Sequence, residues 1–493
     1  MIEDLDFGPG PGAVQPALRP QATGGAPQAT GGAPRSSYQL TFAVLTVGIG
    51  SYALLQSLVI PVLNTIRMEL HTSQDAATWV LTAYLLSSAV TTPILARAGD
   101  IYGKKRVLQG TLAALAAGSL LAALSPNLTV MIIARVIQGL AGGMLPVGFG
   151  IIRDEFPAEK VAGAVGMLAA LLAVGSGLGI VLAGPIVTSL GWRWLFLLPM
   201  IVTVIAWIGA ALFVAESPIR SPGIISWLPA LLLTGSLVAL LVPLSEAPSW
   251  GWDAPLTLGL FEAAAGLAAA WVWAELRAKV PLIDMKMLRR PAVWTNYLVT
   301  LLLGVGMYAL FAFLPEFVQT PTTVAGYGFA ASITHSGLML LPMTVTMFVA
   351  GMFAGRLVKL FGGKTLVVAG SIGAAGSLGI LAFAHTQQWQ VYLATAVMGV
   401  GTGLALPALS ALIVLAVPPH QTGVASGMSA NVRSIGGSIG AAVMASIVTS
   451  QLEASGLPKQ AGYTAGFALM GAALLLGAVA GLFIPASDAP ASP

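Results

Sequence analysis

The sequence has no cysteine and few charged residues. Without cysteine among its 493 residues, the chain has no disulfide framework, thiolate metal site or cysteine nucleophile. Asp, Glu, Lys and Arg make up only 8% of the residues, whereas about 25% is typical of a soluble domain. With 57% hydrophobic residues, most of the chain cannot face water.

The sparse polar residues show no arrangement typical of an enzyme or a nucleic-acid-binding protein. The net charge of +4 is small and forms no basic patch. The four histidines stand singly, with no second ligand at metal spacing, and no nucleophile is paired with a base. We therefore expect no catalytic residue, no metal, no cofactor and no nucleic-acid partner.

Long apolar segments recur along the chain from Leu40 to Ile484. Fourteen of them reach the ~20 residues that a membrane-spanning helix needs, and the second is Ala77–Ala96. The sequence therefore predicts an all-α integral membrane protein with fourteen transmembrane helices. Residues 1–37 are polar and rich in Pro and Gly, which predicts a disordered cytoplasmic tail, and residues 487–493 form a C-terminal tail.

Lysine and arginine concentrate on one side of the predicted membrane. If the N-terminus is cytoplasmic, only Arg67, Arg193 and Lys459 fall on the opposite side, and only Arg135 and Arg433 lie inside segments. An excess of Lys and Arg on the cytoplasmic side is the positive-inside rule. We expect a monomeric, multi-pass protein of the cell membrane with both termini in the cytoplasm.

A charged stretch occurs twice, which indicates two related halves. Residues Ala96–Arg106 and Gly355–Lys364 both read small residue, Arg, two residues, charge, two residues, Gly, one residue, Lys. Repeated halves around a midplane site are typical of secondary transporters. The predicted organisation is a six-helix half at 38–218, two inserted helices with a cytoplasmic linker at 219–290, and a second six-helix half at 291–486.

From about Leu40 to Ile484 the chain resembles the major facilitator superfamily, and within it the fourteen-helix drug:proton antiporter branch. The motifs that carry the resemblance are Asp100, Gly103, Lys104 and Lys105 between segments 2 and 3, Arg135, Gln138, Gly139 and Gly142 in segment 4, Trp192–Phe196 before segment 6, and Asn431, Arg433 and Gly436 in segment 13. One departure is Tyr52, which stands where the branch commonly has an Asp nine residues before a proline, here Pro61.

The resemblance implies a secondary active transporter that exports amphipathic small molecules, drug-like compounds or secondary metabolites, in exchange for protons by alternating access. Its partners would be the substrate, protons and membrane lipids. The alternative is a lipid or lipid-conjugate flippase or facilitator of the same fold, because the cavity should be mostly apolar and aromatic. A membrane enzyme or a channel agrees less well with the repeat and with the absence of clustered carboxylates or histidines.

The residues predicted to form the cytoplasmic gate are Asp100, Gly103, Lys104, Asp154 and Glu155. Asp100 is expected to face the positive N-terminal end of the helix that begins near Thr422. Lys104 is expected to pair with Asp154 or Glu155. The alternative is a solvated loop that only follows the positive-inside rule.

Four charged residues are candidates for proton coupling: Arg135, Arg433, Glu262 and Glu316. A charge inside a membrane helix is costly, so it is treated as functional unless it is paired. For Arg135 and for Arg433 the alternative is a structural bridge to carbonyls or to Gln138. Glu262 is expected to be buried, either as a neutral hydrogen-bonded acid or as a proton carrier, and Glu316 is expected either to titrate or to reach the outer interface. The predicted cavity residues are Tyr52, Gln56, Gln138, Tyr308 and Phe311.

Overall fold

Long helices make up most of the described part of the chain. The computed structural model describes residues 38–72, 74–217, 226–278, 281, 283–418, 421–450 and 457–485. Within these residues fourteen helices are long and apolar enough to cross a membrane, so the predicted helix number is confirmed and the chain is an all-α multi-pass membrane protein. The tails predicted at 1–37 and 487–493 lie outside the described residues.

The spanning helices are labelled α1 to α14 in chain order. The first six are Tyr38–Leu58, Gln74–Tyr102, Lys104–Ala123, Leu128–Gly139 continued by Met144–Glu155, Ala158–Leu190, and Trp194–Phe213. The next two, α7 and α8, are Trp227–Trp250 and Pro255–Arg277. The last six are Pro291–Gln319, Ile333–Phe361, Gly363–Phe383, Gln388–Ala416, Thr422–Thr449 and Gln460–Leu482.

Shorter elements connect or interrupt these helices. A 3-10 turn, Leu140–Gly143, joins the two parts of α4. A 3-10 turn at Ile60–Val62 and short helices at Leu63–Glu69, Met285–Leu288 and Thr322–Ala325 lie between spanning helices. Local sequence sets several helix starts: the Asn127 side chain accepts a hydrogen bond from the Val130 N–H and caps α4, whereas proline occupies the first turn of α8 and α9.

The helices form two groups, each with its own apolar core. One core is built mainly from α1 to α6, and the other mainly from α9 to α14. Two seams join the groups: α5 packs against α10 and α12, and α13 packs against α2 and the second part of α4. The exact domain boundaries remain predictions, and the one at residue 218 lies outside the described residues.

The inserted pair, α7 and α8, covers one of the two seams. Helix α7 packs against both α2 and α13, whereas α8 packs mainly against α7. The hydroxyls of Thr82 on α2 and Ser245 on α7 lie 2.8 Å apart. Just after α7, the Trp252 indole N–H donates to the Ser446 hydroxyl on α13 at 2.6 Å. The inserted pair is therefore bonded to both groups of helices.

The charged stretch at Ala96–Arg106 is almost entirely helical, so the second segment, predicted to end at Ala96, is too short at this end. Helix α2 continues to Tyr102 and α3 starts at Lys104. Gly103 is the single residue between them. Its φ of +110° is a backbone conformation that residues other than glycine rarely adopt. The end of the apolar segment did not mark the end of the helix, because charged residues such as Arg and Lys continue a helix readily.

Candidate functional site

A buried ion pair holds together the end of the bundle where α2, α3 and α4 meet; we call this the charged end and define it by Asp100, Lys104 and Asp154. The Lys104 ammonium lies 2.6 Å from Asp154 Oδ2 and 4.0 Å from Asp100 Oδ1. All three side chains are less than one-tenth exposed. The Ser217 hydroxyl also donates to Asp154. Of the two pairings expected for Lys104, the structure has the one with Asp154.

Asp100 also reaches the opposite group of helices. A Cβ placed on Gly423 would lie 4.0 Å from Asp100 Oδ1, so this carboxylate sits beside the first turn of α13. The N-terminus of a helix carries a partial positive charge, which favours a carboxylate there. Nearby, the Arg153 guanidinium on α4 donates to the Val414 carbonyl on α12 at 3.4 Å. The two groups of helices therefore touch at the charged end.

The other two residues predicted for the gate have local partners. Glu155 accepts a 2.8 Å hydrogen bond from the Thr41 hydroxyl on α1, so it stays within the first group. Gly103 lies against the Glu216 carboxylate, which a Cβ would meet at 2.5 Å. Glu216 in turn accepts from the Lys105 N–H at 3.2 Å. Gly103 thus permits both the tight turn and the close approach of this carboxylate.

Arg135 is engaged in a structural bridge. Its Nε donates to the Val80 carbonyl at 2.8 Å and its Nη1 donates to Gln138 Oε1 at 2.7 Å. Its guanidinium lies 4.2 Å from the centre of the Tyr84 ring, a cation–π contact. Gln138 Nε2 in turn donates to the Ser119 hydroxyl at 2.9 Å. Arg135 and Gln138 are fully buried between α2, α3 and α4. Neither residue lines the central pockets that are described next, so the predicted cavity position of Gln138 is wrong.

Three adjoining pockets lie between the two groups of helices, and we call them together the central cavity. The first is lined mainly by apolar groups, among them Ile60, Leu172, Ile180, Met307, Phe311 and Leu406. The second is lined by polar groups that include Tyr52, Gln56, Ser88, Tyr308 and Asn431. The third contains the serines Ser410, Ser426 and Ser429. Four predicted cavity residues, Tyr52, Gln56, Tyr308 and Phe311, are therefore brought together.

The central cavity is narrow in this conformation. Its largest pocket holds about 40 Å³ and the other two about 20 Å³ each. A single water needs roughly 10–15 Å³ on this measure, so only a few waters could enter. Hydrogen bonds cross the cavity from one group to the other: Gln56 Nε2 donates to the Tyr308 hydroxyl at 3.2 Å, and Asn431 Nδ2 donates to the Ala89 carbonyl at 2.8 Å. The cavity must open before it can hold a molecule of drug size.

Arg433 lies at the junction of the three pockets and lines each of them. It stands 11 residues after Thr422, about 16 Å along α13. Its Nε is buried and has no hydrogen-bond partner, and none of the described carboxylates lies within 4.0 Å of its guanidinium. Arg433 and Arg135, both cations inside apolar helices, therefore differ: Arg135 is bonded and Arg433 faces a cavity.

The two predicted carboxylates lie outside the central cavity. Glu262 is exposed on the outer face of α8, so the expectation that it is buried is wrong. Glu316 lies near the end of α9 that is remote from the charged end, where it is exposed and lies near Tyr463 on α14, whose hydroxyl has no hydrogen-bond partner among the described residues. Two carboxylates that the sequence did not single out, Glu246 and Glu275, are the buried ones in the inserted pair.

A larger groove opens between α5 and α10. It holds about 620 Å³ and is lined by glycines, by apolar side chains such as Met167 and Phe353, and by the charged residues Glu159, Arg356 and Lys359. These charged residues lie near the start of α5 and the end of α10, on the same side of the bundle as the charged end. The groove is thus amphipathic, with an apolar length and a charged rim.

These features define a class of protein: a multi-pass transporter with two helix groups and a cavity between them. The model of the family described as Major Facilitator Superfamily matches residues 45–441 and 321–493. A multidrug resistance protein B homolog of Mycobacterium tuberculosis is 30% identical over 404 residues, which are 80% of this chain and 73% of the relative.

Other relatives and a solved structure agree. The multidrug transporter protein MdtP of Bacillus subtilis is 28% identical over 76% of this chain and 69% of its own. The tetracenomycin C resistance and export protein of Streptomyces glaucescens is 27% identical over 84% of this chain and 76% of its own. The crystal structure of the human organic anion transporter MFSD10 superposes with a TM-score of 0.63 over 91% of this chain and 100% of that one, at 15% identity, which supports the fold. The chain belongs to the major facilitator superfamily, as its motifs predicted, and is a transporter, not an enzyme.

Proposed function

We propose that the protein exports amphipathic small molecules across the cell membrane by alternating access, in exchange for protons. The observation that carries this proposal is the central cavity, which is apolar on one side, polar on the other, and lined by both groups of helices. Relatives named for multidrug resistance and for tetracenomycin C export support a drug-like or secondary-metabolite substrate. In this proposal the charged end faces the cytoplasm.

Two observations support alternating access: the contacts at the charged end and the narrowness of the cavity. Contacts of Asp100 with the start of α13 join the two groups at the charged end, whereas Gly184 on α5 packs against Thr334 of α10 near the other end. Because the cavity between them holds only a few waters, a substrate enters only after one of these ends has separated. The two seams are the surfaces along which the groups would rock.

Glu316 is the carboxylate we propose for proton exchange. None of the residues that line the three central pockets is acidic, so a titrating carboxylate must lie beside the cavity rather than in it. Glu316 follows Phe311, which lines the cavity, by five residues on α9, about 7 Å along the helix axis. Glu316 lies near Tyr463 on α14, so a movement of α9 against α14 would change its surroundings.

The test uses purified protein in liposomes with an imposed pH gradient and a fluorescent amphipathic dye. We expect the wild type to concentrate dye when the gradient is present and to move protons when dye is added. Glu316→Gln should abolish gradient-driven accumulation but retain dye exchange down its own gradient. Glu262→Gln is the matched control, because that carboxylate is on α8, which lines none of the three central pockets, whereas Glu316 is on α9, which lines two of them. Accumulation that is unchanged in Glu316→Gln would contradict proton exchange at this residue.

The second candidate function is a lipid or lipid-conjugate flippase or facilitator of the same fold. The groove of about 620 Å³ between α5 and α10 favours it, because an apolar groove with a charged rim suits an amphipath that arrives from the bilayer. Transfer of a fluorescent phospholipid between leaflets, independent of the pH gradient and retained in Glu316→Gln, would support this function over proton-driven export.

A further inference from the structure

We propose that the central cavity is selective for anionic amphipathic substrates, and that Arg433 and Ser426 bind the anionic group. This inference names the substrate class of the proposed export function and rests on it. Three features of the cavity support it: its charge balance, its unbonded donors, and the position of these donors relative to the apolar pocket.

The charge of the cavity is positive. Arg433 lines all three pockets, and their other lining residues are apolar or neutral polar. In the described part of the chain no carboxylate comes within 4.0 Å of this guanidinium. An unpaired cation in a cavity of low polarity is unfavourable, and a ligand anion would relieve this while a ligand cation would add repulsion.

Two donors in the same pocket have no partner. The buried Nε of Arg433 makes no hydrogen bond, and neither does the hydroxyl of Ser426, whose side chain is only 3% exposed. The two residues are seven positions apart on α13, which is about two helical turns, so they lie on one face. Buried polar groups in native proteins are nearly always bonded, so two unbonded donors in one pocket indicate a missing acceptor.

The identity of the acceptor follows from the donors. A guanidinium matches the planar or tetrahedral oxygens of a carboxylate, sulfonate or phosphate, and a hydroxyl adds one further donor to the same group. The pocket that holds Ser426 measures about 20 Å³, which is room for one or two waters, so it must widen with the rest of the cavity before it admits the anionic group.

The apolar part of such a ligand has a place on the other side of Arg433. Arg433 also lines the first pocket, together with Leu172, Ile180 and Phe311. Ser426 lies near the start of α13, on the side of the charged end, whereas Ile180 and Phe311 lie toward the opposite ends of α5 and α9. An anionic amphipath would therefore lie with its charged group toward the charged end and its apolar body away from it.

The experiment compares two dyes with the same xanthene ring system and opposite charge, fluorescein and rhodamine 123. Binding to the purified wild type in detergent is measured by fluorescence polarisation, without any gradient, so the result does not depend on transport or on proton exchange. We expect fluorescein to bind more tightly than rhodamine 123. Tighter binding of rhodamine 123, or no detectable binding of fluorescein, would overturn the proposal.

Variants locate the effect. Arg433→Gln should weaken fluorescein binding by about tenfold to a hundredfold, the range of a lost hydrogen bond to a charged group, and leave rhodamine 123 binding equal or tighter. Ser426→Ala removes one hydroxyl and should weaken fluorescein binding by less. Arg106→Gln, at a side chain that is 70% exposed, is the matched control for loss of one arginine. Unchanged fluorescein affinity in folded Arg433→Gln would overturn the assignment, and if that variant does not fold, Ser426→Ala and the dye preference of the wild type decide the question.

Discussion

The ion pair between Lys104 and Asp154 gives a stability prediction with an internal control. Both side chains are less than one-tenth exposed and their charged atoms lie 2.6 Å apart. Removing one partner of a buried pair leaves the other charge uncompensated, which typically costs about 3–5 kcal/mol. We expect Lys104→Met to lower the free energy of unfolding by an amount in that range. The hydrogen bond that Asp154 keeps from the Ser217 hydroxyl should make the loss smaller.

The control is a second ion pair at the same end of the bundle. Arg106 Nε lies 3.9 Å from Glu216 Oε2, and the arginine side chain is 70% exposed. Exposed pairs contribute roughly 0–1 kcal/mol, so Arg106→Met should change stability little. The two substitutions remove the same charge from helix α3 within three residues of sequence, which makes burial the main difference between them.

The assay follows thermal unfolding in detergent through the intrinsic fluorescence of the 11 tryptophans. Asp154→Asn and the double variant complete a double-mutant cycle, and we expect the double variant to lose much less stability than the sum of the two single variants. Equal midpoints for Lys104→Met and Arg106→Met, or strict additivity in the cycle, would refute the reasoning that this pair is buried and coupled.

Two further predictions concern packing and topology. Gly440→Ala should lower the unfolding midpoint, because a Cβ there would lie 2.1 Å from the Val305 carbonyl oxygen and overpacking costs about 1–3 kcal/mol, whereas Gly376→Ala, with nothing within 4 Å, should leave it unchanged or raise it by the helix propensity of alanine. In this cysteine-free chain, single cysteines placed at 289 and 459 should react differently with an impermeant thiol reagent applied to intact cells. Labelling at 459 alone would agree with the positive-inside assignment, and labelling at 289 alone would reverse it.

Apolar length was sufficient to predict the helix number, and the resemblance of short sequence motifs was sufficient to predict the family. The position of Tyr52, Gln56, Tyr308 and Phe311 around one cavity was also predictable, because related transporters place their substrate site between two repeated halves. These properties repeat along the chain or between its halves, so a single sequence displays them without knowledge of tertiary contacts.

Side-chain partners could not be predicted in the same way. Gln138 bonds to Arg135, one turn earlier on α4, rather than facing the cavity, and Ser426 was overlooked although its spacing of seven from Arg433 placed both on one face. Glu262 lies on a helix that is apolar around its whole circumference, so no hydrophobic periodicity marked which side faces outward. In each case the deciding information is a contact with another helix.

The glycines of α13 show the same limit. Gly436 and Gly440 allow a close approach of helices, as expected from small residues in membrane helices, but the neighbour is α9 of the same group. Gly423 and Gly427 are the ones that face Pro146 on α4, across the seam. One helix therefore uses its glycines for two purposes, rigid packing inside a group and a contact between groups, and sequence spacing does not separate the two.

The inserted pair has a mechanical consequence. It is bonded to α2 through Ser245 and to α13 through Trp252, and both bonds lie near the end of the bundle remote from the charged end. The pair is thus a brace across the α2–α13 seam, and separating the two groups at that end must break at least one of its bonds. A net hydrogen bond is worth about 0.5–1.5 kcal/mol, so each attachment shifts the balance between open and closed by a few-fold to about tenfold. Two extra helices that line no central pocket can in this way set how often one side of the transporter opens.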